Sequence, residues 1–176
     1  QPFFYKGFGS DAKVYPIPTF GGPTGAALGV NASGLVVGAS VDGLGALGGF
    51  SVDPTLDEPL IPLGNLAGGN LSVATAVNDD GLIVGYALNT DGSYRAVSSG
   101  LNPFTALPLT NGFASMWATT VNRIGEIAGY ARVAPSGATN AFLHVLNQTR
   151  DLGRPTGADH VIATGLNAGG DVVGHA

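Results

Sequence analysis

The chain is 176 residues long, 44% hydrophobic and only 11% charged, with 29 glycines, no cysteine and a formal net charge of -5. Average soluble domains carry about 25% charged residues. The lack of any Lys/Arg cluster speaks against nucleic acid as a partner, the lack of cysteine removes disulfides and thiolate metal sites, and no run of about 18 apolar residues offers a helix for membrane insertion.

In chain order, residues 3–6 (Phe3-Phe4-Tyr5-Lys6) and 13–19 read as two extended segments. Then one phrase begins that occurs four times: ALGVNASGLVVG over residues 27–38, ATAVNDDGLIVG over 74–85, ATTVNRIGEIAG over 118–129 and ATGLNAGGDVVG over 163–174. Its asparagines, Asn31, Asn78, Asn122 and Asn167, stand 47, 44 and 45 residues apart. Self-similarity at such a period is the mark of a repeat protein. Approximate repeats are 1–40, 41–87, 88–131 and 132–176, forming a single repeat domain over 1–176.

Each phrase reads as a tight hairpin. The Asn side chain bonds back to backbone N–H groups at the turn start, and the Gly three residues on (Gly34, Gly81, Gly125, Gly170) takes positive φ at its end. A second glycine (Gly38, Gly85, Gly129, Gly174) falls inside the strand that follows, where a missing side chain permits close backbone approach or a bulge. Third strands are expected near residues 49–52, 95–97 and 141–144, and fourth strands over 59–63, 104–109 and 149–152. Pro59, Pro62 and Pro108 mark the fourth strand as an edge, because proline cannot donate to a ladder.

The fold class expected is therefore all-β: a small β-propeller-like array of four four-stranded repeats. With the phrase taken as the innermost hairpin, residues 161–176 supply only a first and second strand. Residues 1–19 supply only a third and fourth. Pairing 161–176 with 1–19 builds one blade from both ends, either within a chain or between chains.

The last copy resembles the HAF repeats of bacterial proteins described as probable extracellular repeat proteins. The likeness is carried by Ala141-Phe142-Leu143, Asp151-Leu152-Gly153 and then Ala163, Leu166, Asn167, Gly170, Val172, Val173 and Gly174. The resemblance implies export, an extracellular or cell-surface location and a β-repeat fold. It offers no catalytic residues to carry over.

Nothing in the chain forms a catalytic motif. His144, His160 and His175 have spacings of 16 and 15 residues that match no metal site, and Asp57, Glu58 and Glu126 are scattered. No cofactor or enzymatic activity is expected. A charge-poor surface permits lateral packing of subunits, so the expected partner is a second copy, as a homo-oligomer or polymer. Phe3, Phe4, Tyr5, Val14, Tyr15, Val172 and Val173 are the residues expected to close the ring or bridge subunits. The alternative is a lectin-like module binding glycans or peptides, with Trp117 as the stacking ring.

Overall fold

A computed structural model describes residues 1–56, 58–99, 103–110 and 112–176; Asp57 lies outside the described residues. Strands dominate, and one 3-10 turn occurs at Gly9–Asp11. The N-terminal pair is β1 (Phe3–Lys6) and β2 (Lys13–Pro16). The first sheet holds β3 (Gly21–Val30), β4 (Val36–Asp42), β5 (Leu47–Val52) and β6 (Ile61–Pro62). The second holds β7 (Ser72–Val77), β8 (Ile83–Leu88), β9 (Tyr94–Ser99) and β10 (Thr105–Ala106). The third holds β11 (Phe113–Val121), β12 (Ile127–Val133), β13 (Thr139–Val145) and β14 (Gln148–Gly153). The C-terminal pair is β15 (Ile162–Leu166) and β16 (Val172–His175). The named strands pair antiparallel, two isolated bridges (Phe20 with Asp42, Leu47 with Leu71) are parallel, and each full sheet runs in sequence order from one edge to the other.

Local chemistry explains the hairpins. In every repeat the Asn Oδ1 accepts a hydrogen bond at 2.9 Å from the backbone N–H four residues later: Leu35, Leu82, Glu126 and Asp171. Gly81 closes its turn at φ +81°, and Gly34, Gly125 and Gly170 share the left-handed conformation, which is cheap only for glycine. The first strand of each repeat carries a bulge, seen as register shifts at Ala27/Gly29, Ala74/Ala76, Ala118/Thr120 and Ala163/Gly165. Beside it, the partner strand's glycine lets the backbones crowd together. A Cβ on Gly85 would collide with the Val73 carbonyl, and Gly38, Gly129 and Gly174 face the same obstacle from Ala26, Trp117 and Ile162.

The core lies between successive sheets. Val37 and Leu63 of the first sheet region pack against Ala74, Ile83, Ala87 and Val97 of the second. Val84, Ala96 and Leu107 repeat the pattern against Met116, Ala118, Ile127 and Phe142 of the third. Each Val, Leu, Ile, Met or Phe side chain among them contributes about 1.5–3 kcal/mol on burial. Sheet-on-sheet packing, rather than any single hairpin, thus orders the array.

The fourth strands are shorter than the sequence suggests in two repeats. β6 and β10 keep two residues each, and β14 keeps six. Pro62 ends β6 and Pro108 follows β10, where their missing N–H groups cannot extend the ladder.

The expected pairing of residues 161–176 with 1–19 is not made within the chain. β1–β2 and β15–β16 stand as separate two-stranded sheets. Each is held by packing on the sheet next to it in sequence: Ile17 and Phe4 against Val36 and Phe50 at one end, Val161 and Ala163 against Ala141 at the other. That packing leaves one edge of β1 and one edge of β16 without a partner strand among the described residues.

Candidate functional site

Register identifies the role of each terminal strand. Phe3 pairs with Pro16 as Phe50 pairs with Pro62, Val97 with Ala106 and Phe142 with Asp151. The Ile17 N–H donates to the Pro2 carbonyl at 3.0 Å, as Leu63 does to Gly49 at 2.9 Å and Leu107 to Ala96 at 2.8 Å. β1 and β2 are thus the third and fourth strands of a repeat. β15 and β16 carry the Asn-turn phrase with its bulge and are the first and second.

Burial at equivalent positions then differs at the two terminal pairs. Phe50, Val97 and Phe142 are 0% exposed, whereas Phe3 in the same place is 65% exposed. Val37, Val84 and Ala128 are 0% exposed, whereas Val173 is 65% exposed. Tyr5 is exposed, while Phe4 and Val172 are half-buried. Residues Phe3–Tyr5 and Ala27–Val30 line a groove of about 350 Å³ at the N-terminal end. At the other end, Ala141, Leu152, Val161, Ala163 and β16 line one of about 450 Å³. The sequence names Phe3, Phe4, Tyr5, Val172 and Val173 for ring closure or subunit contact, and all five lie on β1 and β16, the two strands that pair on one edge only among the described residues. Val14 and Tyr15 lie one strand further out, on β2; Tyr15 packs on Phe4 at 6.1 Å, with the Lys13 Nζ 4.7 Å from its ring.

A hydrogen-bond ladder joins the repeats, and the sequence reading missed it. The Asn31 amide donates to the Asn78 carbonyl at 3.0 Å, Asn78 to Asn122 at 3.0 Å and Asn122 to Asn167 at 2.8 Å. Beside it the Thr75 hydroxyl donates to the Ala118 carbonyl at 2.9 Å and Thr119 to Ala163 at 2.6 Å. A signal was present. The hairpin after β4 is capped by Asp42, whose carboxylate accepts from Leu44 and Ala46. A turn that needs only an acceptor tolerates Asp; four turns that keep Asn use the amide hydrogens as well.

Asn78 is buried and serves both purposes. Asn78→Asp preserves the turn acceptor but removes the donor to Asn122. It is expected to cost about 1–3 kcal/mol, the usual penalty of an unsatisfied buried polar group, read as a shift of the urea midpoint. A cap-only asparagine would tolerate Asp without such a shift.

Trp117 does not stand alone. Its ring stacks on Tyr130 at 5.0 Å and 12° and lies 5.3 Å from Tyr94, which meets Tyr86 edge-on at 5.9 Å. These half-buried rings come from β8, β9, β11 and β12, so the cluster ties the second sheet to the third. Burial raises the Tyr86 and Tyr130 phenols above the usual tyrosine range.

His144 is buried on β13 with Nδ1 2.9 Å from the Thr149 hydroxyl, which itself donates to the Pro108 carbonyl at 3.0 Å. With the hydroxyl's hydrogen used there, Nδ1–H is the donor to the Thr149 oxygen. Burial holds its pKa below the ordinary 6.5. As pH falls below about 6.5 the unfolded chain takes up a proton that the folded chain refuses, so stability declines there. Denaturant titrations at pH 7.5 and pH 5.5 are expected to show the loss, and His144→Gln to diminish it.

Among the described residues no group of three or more His, Cys, Asp or Glu is placed to hold a metal ion, and no helix is long and apolar enough to cross a membrane. Searched against protein-family models and against curated proteins, the sequence matches none.

Proposed function

We propose that this chain is a non-enzymatic structural subunit, a propeller-like repeat array that associates with copies of itself into a filament, tube or surface assembly. The carrying observation is the pair of exposed positions, Phe3 and Val173, whose counterparts in every complete sheet are fully buried. The β1–β2 pair has the register of a third and fourth strand and β15–β16 that of a first and second, so the open edges of β1 and β16 on two copies are complementary. An unpaired strand edge is a ready template for such addition. The low charge fits close packing of subunits. An extracellular or cell-surface setting follows from the resemblance to HAF repeats. The glycan-binding reading has less support, because Trp117 is already flanked by Tyr94 and Tyr130.

Light scattering across a concentration series tests this reading. The expected mass rises with concentration well above the 17.5 kDa of one chain. A constant single-chain mass contradicts it.

A further inference from the structure

The three complete sheets contain the template for how two copies meet. In each, the second-strand glycine faces the third-strand core residue: Gly38 opposite Phe50, Gly85 opposite Val97 and Gly129 opposite Phe142. The residue before the glycine faces the residue after the core position, as Val37 faces Ser51 and Ala128 faces Leu143. In β16 the glycine is Gly174, and in β1 the core position is Phe3.

Resting on the self-association reading, we propose that β16 of one copy pairs with β1 of the next in a single register. Gly174 lies opposite Phe3, Val173 opposite Phe4 and Val172 opposite Tyr5. The two half-sheets then become one four-stranded sheet of the order seen three times within the chain.

The interlocking side chains agree with this register. Val173 enters the place beside Ile17, Val36 and Phe50 that Val37 occupies beside Leu63, Ile83 and Val97. Phe3 enters the groove at the other copy's C-terminal end, lined by Ala141, Leu152, Val161 and Ala163. A slip of one residue would turn Val173 away from that place. A slip of two would set a side chain instead of Gly174 beside Phe3.

The ladder continues as well. Thr164 occupies the position of Thr75 and Thr119, and Asn167 that of Asn78 and Asn122. Their acceptors in the next copy are the Ala27 and Asn31 carbonyls. The Asn31 carbonyl receives the Gly34 N–H alone among the described residues, whereas the Asn78 carbonyl receives both Gly81 and the Asn31 amide. The Asn167 amide bonds Asp171 at 2.9 Å, which leaves its second hydrogen available. Asn122 already shows that double use, donating to Glu126 at 2.7 Å and to Asn167 at 2.8 Å. The donors all lie toward one end and the acceptors toward the other, so the assembly is polar, head to tail.

The chain has no cysteine, which permits a direct test by paired cysteines. Residues directly opposite on antiparallel strands lie within disulfide reach, and pairs displaced by two residues do not. Phe4→Cys copies mixed with Val173→Cys copies are expected to give a covalent dimer on mild oxidation. Lys6→Cys copies mixed with Val173→Cys copies are expected to give none. A dimer from the Lys6 mixture but not the Phe4 mixture overturns the register and leaves self-association standing. A single-chain mass for the parent protein in light scattering overturns both. On the unmodified chain, hydrogen exchange gives a second reading. Residues 3–5 and 172–174 should gain protection together as assembly proceeds, and assembly without protection at these strands overturns the pairing.

Discussion

Gly85→Ala is expected to be among the most damaging single substitutions in this chain. A methyl group there meets the Val73 carbonyl oxygen and the Ala74 Cα, both backbone atoms fixed by the β7 bulge and its ladder. Overpacking in a core costs about 1–3 kcal/mol when side chains give way. Here the obstacle is backbone, so the upper end of that range or more is expected, out of a total stability of about 5–15 kcal/mol for a typical domain. Gly43→Ala is the control, since nothing lies within 4 Å of a Cβ at that position and its φ is not left-handed. Its effect should stay within about 0.5 kcal/mol. Urea unfolding of the two variants measures the difference, and equal midpoints would mean the repeated glycine has another role.

Val173→Asp is expected to abolish assembly while leaving the fold of the single chain intact. Val173 is 65% exposed, so a carboxylate there meets water in the isolated chain. Surface changes of that kind shift stability by about 0.5 kcal/mol or less. In the assembly the same carboxylate would enter an apolar place beside Ile17 and Phe50 with no partner charge, which costs several kcal/mol. Val84→Asp, at the buried equivalent, should instead unfold the chain. Leu44→Asp, on an exposed loop away from both ends, should change neither fold nor assembly. Circular dichroism paired with light scattering distinguishes these results. Normal assembly of the Val173→Asp chain would remove this strand from the contact.

Much of the fold was legible in the residues because each repeat writes its turn chemistry openly. Asn78 and Gly81 identify the hairpin, and Pro62 and Pro108 identify the outer edge. The phasing of the terminal strands was legible for the same reason, since β1–β2 and β15–β16 are the two halves that the repeat count implies. Long-range features were less visible. The Asn31–Asn78–Asn122–Asn167 ladder joins residues more than 40 positions apart, and a cap explains each asparagine locally before the ladder is seen. The gathering of Tyr86, Tyr94 and Tyr130 around Trp117 depends on how one sheet lies on the next. The same holds for the unpaired ends: strand type follows from sequence, whereas pairing within or between chains follows from where sheet packing directs each edge.

Negative-stain electron microscopy of the 176-residue chain tests self-association most directly. Ordered polymers that disappear in the Val173→Asp variant are the expected result. Separate single-chain particles at every concentration would contradict it.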